Sequence, residues 1–175
     1  ARVASIKREI ANLTADPEDR KSLLREAIAL EQGGLSLMSK DLHGIYEHSK
    51  PAYANYCNTQ FEYAEMLSSL YKLTGEKELS IRIVEQYSQA TEAFRYLGFA
   101  SRSAECWWRL AQICDELDEF GEAAEHFEHA SEDYLDASEK IPKLKSFYQE
   151  HANYMKAWVE IEKGRHNHER QEFAS

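Results

Sequence analysis

ECWWRLAQICDELDEFGEAAEHFEHA, residues 105–130, decides how the rest of the chain is read. Leu110 and Ala111 stand three and four residues after Trp107, and four and three before Cys114; Ala123, Phe127 and Ala130 keep the same spacing after a short break at Asp118–Gly121. Steps of three and four belong to a helix with one buried face. Two helices joined by a few residues make an antiparallel hairpin. The adjacent tryptophans sharpen the picture. Neighbouring residues on a helix point about 100° apart, so Trp107 and Trp108 cannot share one burial site. One of them faces something else.

The hairpin recurs. Displaced by 40 residues, VEQYSQATEAF (84–94) falls on AEHFEHASEDY (124–134), aligning Tyr87 with Phe127, Ala90 with Ala130 and Phe94 with Tyr134. In the preceding helix Leu67, Leu70 and Leu73 fall on Trp107, Leu110 and Ile113. A third, partial unit places Tyr148, Ala152, Met155 and Trp158 at 41 residues beyond Trp107, Ala111, Cys114 and Leu117. A repeated helical pair is the mark of a stacked-hairpin architecture. Helical periodicity also covers the remainder. Val3, Ile6, Ile10 and Leu13 share a face; Asp16-Pro17 reads as a helix start, and Gly33-Gly34 as its stop. A short helix is predicted through Leu37, Met38, Leu42, Ile45 and Tyr46, a long one from Pro51 to Gly75, and another ending at Gly98. Pro142 opens the last helix and Gly164 closes it, leaving a polar tail at 165–175. The expectation is eight helices in one domain, 1–175.

These residues resemble the tetratricopeptide repeat, whose pattern is W-x2-L-G-x2-Y, a turn, then A-x3-F-x2-A. Trp107, Leu110, Ala111 and Cys114 match its first helix, with Ala in place of Gly and Cys in place of Tyr; Phe120, Ala123, Phe127 and Ala130 match its turn and second helix. The match is clearest over 104–137 and next over 64–97. The spacing of 40 is similar to the longer repeats of the SNAP adaptors, which help take apart membrane-fusion coiled coils. The resemblance implies an all-α, right-handed superhelix of about four antiparallel hairpins, with ligands held on the inner face lined by the first helix of each.

Composition agrees with helices and narrows the partner. Gly (7) and Pro (3) are too few for a turn-rich β fold. No apolar run is long enough to span a membrane, and the opening ARVASIKREI lacks the apolar centre of a secretion signal. It starts without Met, so its ends need not be natural domain edges. Three cysteines, Cys57, Cys106 and Cys114, do not form a disulfide framework and point to a reducing, cytoplasmic compartment. The net charge of −10 is concentrated: from Ala104 to Glu139 a single basic residue, Arg109, stands against twelve acidic ones. Such a segment repels nucleic acid and attracts basic surfaces.

In the tetratricopeptide register Trp107 is the core ring and Trp108 lies on the inner face with Glu105, Arg109, Gln112, Asp115 and Glu116. An aromatic ring among carboxylates suits a basic or amphipathic segment of another protein. The competing reading packs Trp108 against a neighbouring helix near Tyr148 or Leu67. An acidic C-terminal tail, the ligand of co-chaperone repeats, would meet repulsion here.

Chemistry has weaker claims. His126 and His129 stand three apart with Glu122 and Glu125 one turn before, half of a metal site at most. Neither Glu-x-x-His nor His-Glu-x-x-His occurs, and Gln86 and Gln89 hold the equivalent places in the repeat, as expected of a solvated face. His166-Asn167-His168 lies in the polar tail. No nucleophile elbow, phosphate loop or dinucleotide fingerprint is present, and an acidic setting raises a thiol's pKa rather than activating it. The expectation is a non-enzymatic interaction module with no catalytic residue, metal or cofactor. The alternatives are a helical-bundle enzyme or metal-binding protein using His126 and His129, and a self-associating homodimer that buries its own groove.

Overall fold

The computed structural model describes residues 2–40 and 50–172. Among them every regular element is helical. Seven α-helices follow in order: α1 (Arg2–Leu13), α2 (Pro17–Lys40), α3 (Lys50–Thr74), α4 (Lys77–Tyr96), α5 (Ala100–Glu116), α6 (Phe120–Lys140) and α7 (Lys145–Glu172), with a 3₁₀ turn at Pro142–Leu144 leading into α7. The chain divides into two compact units, residues 1–90 and 91–175.

In the first unit Asp16 caps α2. Its Oδ1 accepts hydrogen bonds from the backbone N–H of Glu18 at 2.9 Å and Asp19 at 3.0 Å. Helix α2 then runs through Gly33-Gly34 to Lys40, which corrects the expected stop at the glycine pair. Two glycines weaken a helix by about 1 kcal/mol each. They do not end one that buries Leu24, Ala27, Ile28 and Leu35 along one side. The predicted short helix at Leu42, Ile45 and Tyr46 falls outside the described residues. Helix α2 packs against both α1 and α3. Phe61 of α3 meets Tyr87 of α4 edge-on at 5.6 Å, and the Tyr87 hydroxyl donates to Glu65 at 2.5 Å.

In the second unit α6 is the middle layer, packed on α5 on one side and α7 on the other. Ala111, Ala123 and Ala130 have no exposed surface, and their small side chains let the helices approach closely. Burial follows the 40-residue rhythm of the sequence: Tyr87, Ala90, Thr91 and Phe94 are buried, and so are Phe127, Ala130, Ser131 and Tyr134. The chain is thus repeat-like as well as all-helical. Helix α7 continues through Gly164 to Glu172, so the polar stretch 165–172 is helical, not a tail.

The turns into and out of α5 share one device. At the end of α4 the N–H of Phe99 donates to the Phe94 carbonyl at 2.9 Å, and that of Gly98 to Arg95 at 3.0 Å. At the end of α5 the N–H of Glu119 donates to Cys114 at 2.8 Å, and that of Asp118 to Asp115 at 3.1 Å. Both pairs satisfy the last carbonyls of a helix through a left-handed residue. Gly98 takes that conformation at φ +76 without cost, whereas Asp118 takes it at φ +61 with a side chain. Asp118→Gly will therefore stabilise the chain by about 0.5–1 kcal/mol, net of the extra freedom glycine gains when unfolded. Thermal unfolding of the two proteins checks this; a lower midpoint for the variant would show that the Asp118 side chain contributes more than its backbone strain costs.

Candidate functional site

Helix α5 brings the six residues expected on the inner face onto adjoining turns. Trp108 is partly buried. Its ring meets two rings of α7 edge-to-face, His151 at 6.5 Å and Tyr154 at 6.4 Å, and the Arg109 guanidinium lies 5.4 Å from its centre. Glu105 is ion-paired to Arg102 at 2.5 Å, one turn before. Arg109 donates to Gln112 at 3.1 Å. Asp115 accepts from Arg165 of α7, which also donates to Glu162 at 3.2 Å. Glu116 is exposed at the end of the helix.

The site is therefore an aromatic strip edged by charge. His151 is its centre: its ring lies 5.3 Å from Tyr134 and 4.2 Å from Phe147, and its Nδ1 sits 2.8 Å from the Phe147 carbonyl oxygen. Tyr154 continues the strip to Trp158 at 6.3 Å, and Trp158 stacks on Phe127 at 5.6 Å. Burial pushes the Tyr134 phenol above its ordinary pKa; Glu105 adds to the rise and Arg109 opposes it. Phe147 and Tyr154 remain about half exposed. His151 and Tyr154 were not singled out from the sequence. The available signal was their position one step round the helix from the buried stripe Tyr148, Ala152, Met155 and Val159.

The second tryptophan differs from expectation. Trp107 is only partly buried. Its ring stacks on His126 at 5.2 Å and tilts over His129 at 4.8 Å, both on α6. The reading of that face as solvated holds for Glu122, Glu125 and the half-exposed His129, but is corrected at His126, whose Nδ1 is buried without a hydrogen-bond partner. His129 sits 3.4 Å from Glu132. The hairpin instead gathers Cys114 of α5 with Glu122 and His126 of α6, one ligand atom from each lying within 4.8 Å of the others. Burial first, then Glu119 and Glu122, push the Cys114 thiol up to about 12. Burial also lowers the His126 pKa, against the opposing pull of Glu122. All three cysteines are buried and none forms a disulfide.

Elsewhere in this unit a cleft of about 440 Å³ between α6 and α7 is lined by Glu128, Glu132, Lys156, Glu160 and Lys163. Its charges are of both signs, and Lys163 already stands 3.9 Å from Glu128. Among the described residues no helix is long and apolar enough to cross a membrane. Comparison with protein-family models, curated proteins and solved structures finds none that matches the chain.

Proposed function

We propose that the chain is a non-enzymatic adaptor of the tetratricopeptide type, docking a basic or amphipathic segment of another protein on the face of α5 that carries Trp108. The observation that carries this reading is an aromatic strip, the partly buried Trp108 with the half-exposed Tyr154 and Phe147, set beside the most acidic part of the chain. Rings of this kind supply most of the binding energy at protein interfaces, and the acids steer a basic partner to them. A right-handed stacking of the hairpins would place this face on the concave side. The register that supports it is the 40-residue recurrence of both sequence and burial.

The test separates the ring from the charge. Wild-type chain, Trp108→Ala and Glu116→Lys are used to capture partners from source lysate at low and high salt, after each is shown to be folded. Asp115 stays intact, because it anchors Arg165. The partner retained by wild type is then reduced to its binding segment and titrated. Trp108→Ala will weaken that segment by about 2 kcal/mol, roughly thirtyfold. Glu116→Lys will weaken it mainly at low salt. Identical binding by wild type and both variants would remove α5 as the docking face. A wild-type mass of twice the chain in solution, lowered by Trp108→Ala, would favour self-association through the same strip.

A further inference from the structure

We propose that Cys114, Glu122 and His126 form a binding site for a zinc-class divalent cation within the α5–α6 hairpin, independent of the docking face. Three observations converge on it. First, the three residues offer a thiol sulfur, a carboxylate oxygen and a ring nitrogen, all within 4.8 Å of one another. Ligands around a tetrahedral zinc stand about 3.5 Å apart, so small side-chain rotations bring the set to bonding distance. Second, the buried Nδ1 of His126 has no hydrogen-bond partner. A buried ring nitrogen left unsatisfied costs free energy that a ligand would recover. Third, the surroundings hold two of the three donor residues, leaving the exposed Glu122 to move in. Trp107 stacks on the His126 ring, and the turn that ends α5 fixes the Cys114 carbonyl to the Glu119 N–H.

The donor set selects the metal. Sulfur, nitrogen and a single carboxylate suit a borderline-soft ion, whereas calcium and magnesium want six or more oxygens or an octahedron of them. Binding replaces the Cys114 S–H bond with a sulfur–metal bond, and the proton leaves to solvent. The thiolate and the Glu122 carboxylate then balance the two positive charges of the ion, and the neutral imidazole completes three protein ligands. The fourth tetrahedral position is left for water. The site needs Cys114 from α5 with Glu122 and His126 at i and i+4 on α6, so it ties the two helices of the hairpin together.

The full chain, reduced and stripped by a chelator, is titrated with Co²⁺ and then with Zn²⁺. One Co²⁺ per chain is expected, with the sulfur-to-cobalt charge-transfer absorption of a thiolate ligand, and Zn²⁺ should abolish that band at one equivalent. Cys114→Ser should remove the band while leaving the helical circular dichroism intact. Glu122→Gln, at an exposed position, should weaken Co²⁺ binding by about tenfold or more without disturbing the fold. Stoichiometric binding with no charge-transfer band would overturn the proposal, since the metal would then lie on histidines and carboxylates elsewhere. So would a band that survives Cys114→Ser, which would assign it to Cys57 or Cys106, or the absence of binding altogether.

Discussion

Phe127→Ala will destabilise the chain by about 3–5 kcal/mol. Phe127 is 2% exposed and sits in the middle of α6, the helix that packs on both α5 and α7. Its ring stacks on Trp158 at 5.6 Å and belongs to the same buried cluster as Ala111, Ala130 and Met155. Deleting the ring leaves a cavity beside Trp158 within a cluster rich in alanine, whose side chains are too short to move in and fill it. The loss should thus lie at the upper end of the aromatic range. Phe127→Leu keeps most of the volume and is expected to cost roughly 1 kcal/mol. Urea unfolding of the three proteins measures both values. A loss for Phe127→Ala no larger than that for Phe127→Leu would show that α6 is not the central layer of this unit.

The same residue shows what the sequence disclosed and where it stopped. Phe127 is legible because Tyr87, 40 residues before it, stands in the same frame of Glu85/Glu125, Ala90/Ala130 and Glu92/Glu132, and both prove buried. Period and recurrence are local properties, so they survive in a one-dimensional reading. The glycines were less informative. Gly98 ends a helix because its backbone turns left-handed there, whereas Gly33 and Gly164 stay inside helices that tertiary burial sustains. Propensity cannot separate those cases, because packing overrides it. The histidine face shows the same limit in reverse. Counting i+3 and i+4 along α6 paired His126 with His129, but the group that meets His126 and Glu122 is Cys114, on another helix. No spacing rule along a single helix reports a ligand delivered by the turn before it. The tetratricopeptide position makes Trp107 a core ring; it packs partly buried against the core, and its contact with two imidazoles depends on the side chains of α6.

Arg165→Ala will cost about 1–2 kcal/mol at neutral pH, and part of that loss will return on acidification. Arg165 donates to Asp115 of α5 and to Glu162 of its own helix. It is about half exposed, so solvent screening limits the worth of each pair. Glu162 is different, because its side chain has no exposed surface. Burial raises its pKa, Asp115 raises it further, and Arg165 pulls it back down. Without the guanidinium the two upward pushes act unopposed, and an ionised carboxylate is left buried beside another acid. A carboxyl whose folded pKa lies above its unfolded value binds its proton more tightly in the folded state. Its destabilising effect is largest at pH values above the folded pKa and fades as pH falls toward the unfolded value of about 4.3. The gap between wild type and Arg165→Ala should therefore narrow between pH 7 and pH 5. Adding Glu162→Gln to Arg165→Ala removes the titrating group, so the double variant should regain stability at pH 7 and lose that extra pH dependence. Urea unfolding at the two pH values reads all three proteins. If the gap stays constant, the loss belongs to the Asp115 contact alone. Either way Asp115 is held by α7, as the Trp108 ring is by His151 and Tyr154, which leaves the exposed Glu116 as the part of the α5 face whose substitution reports on a partner without first loosening the helix behind it.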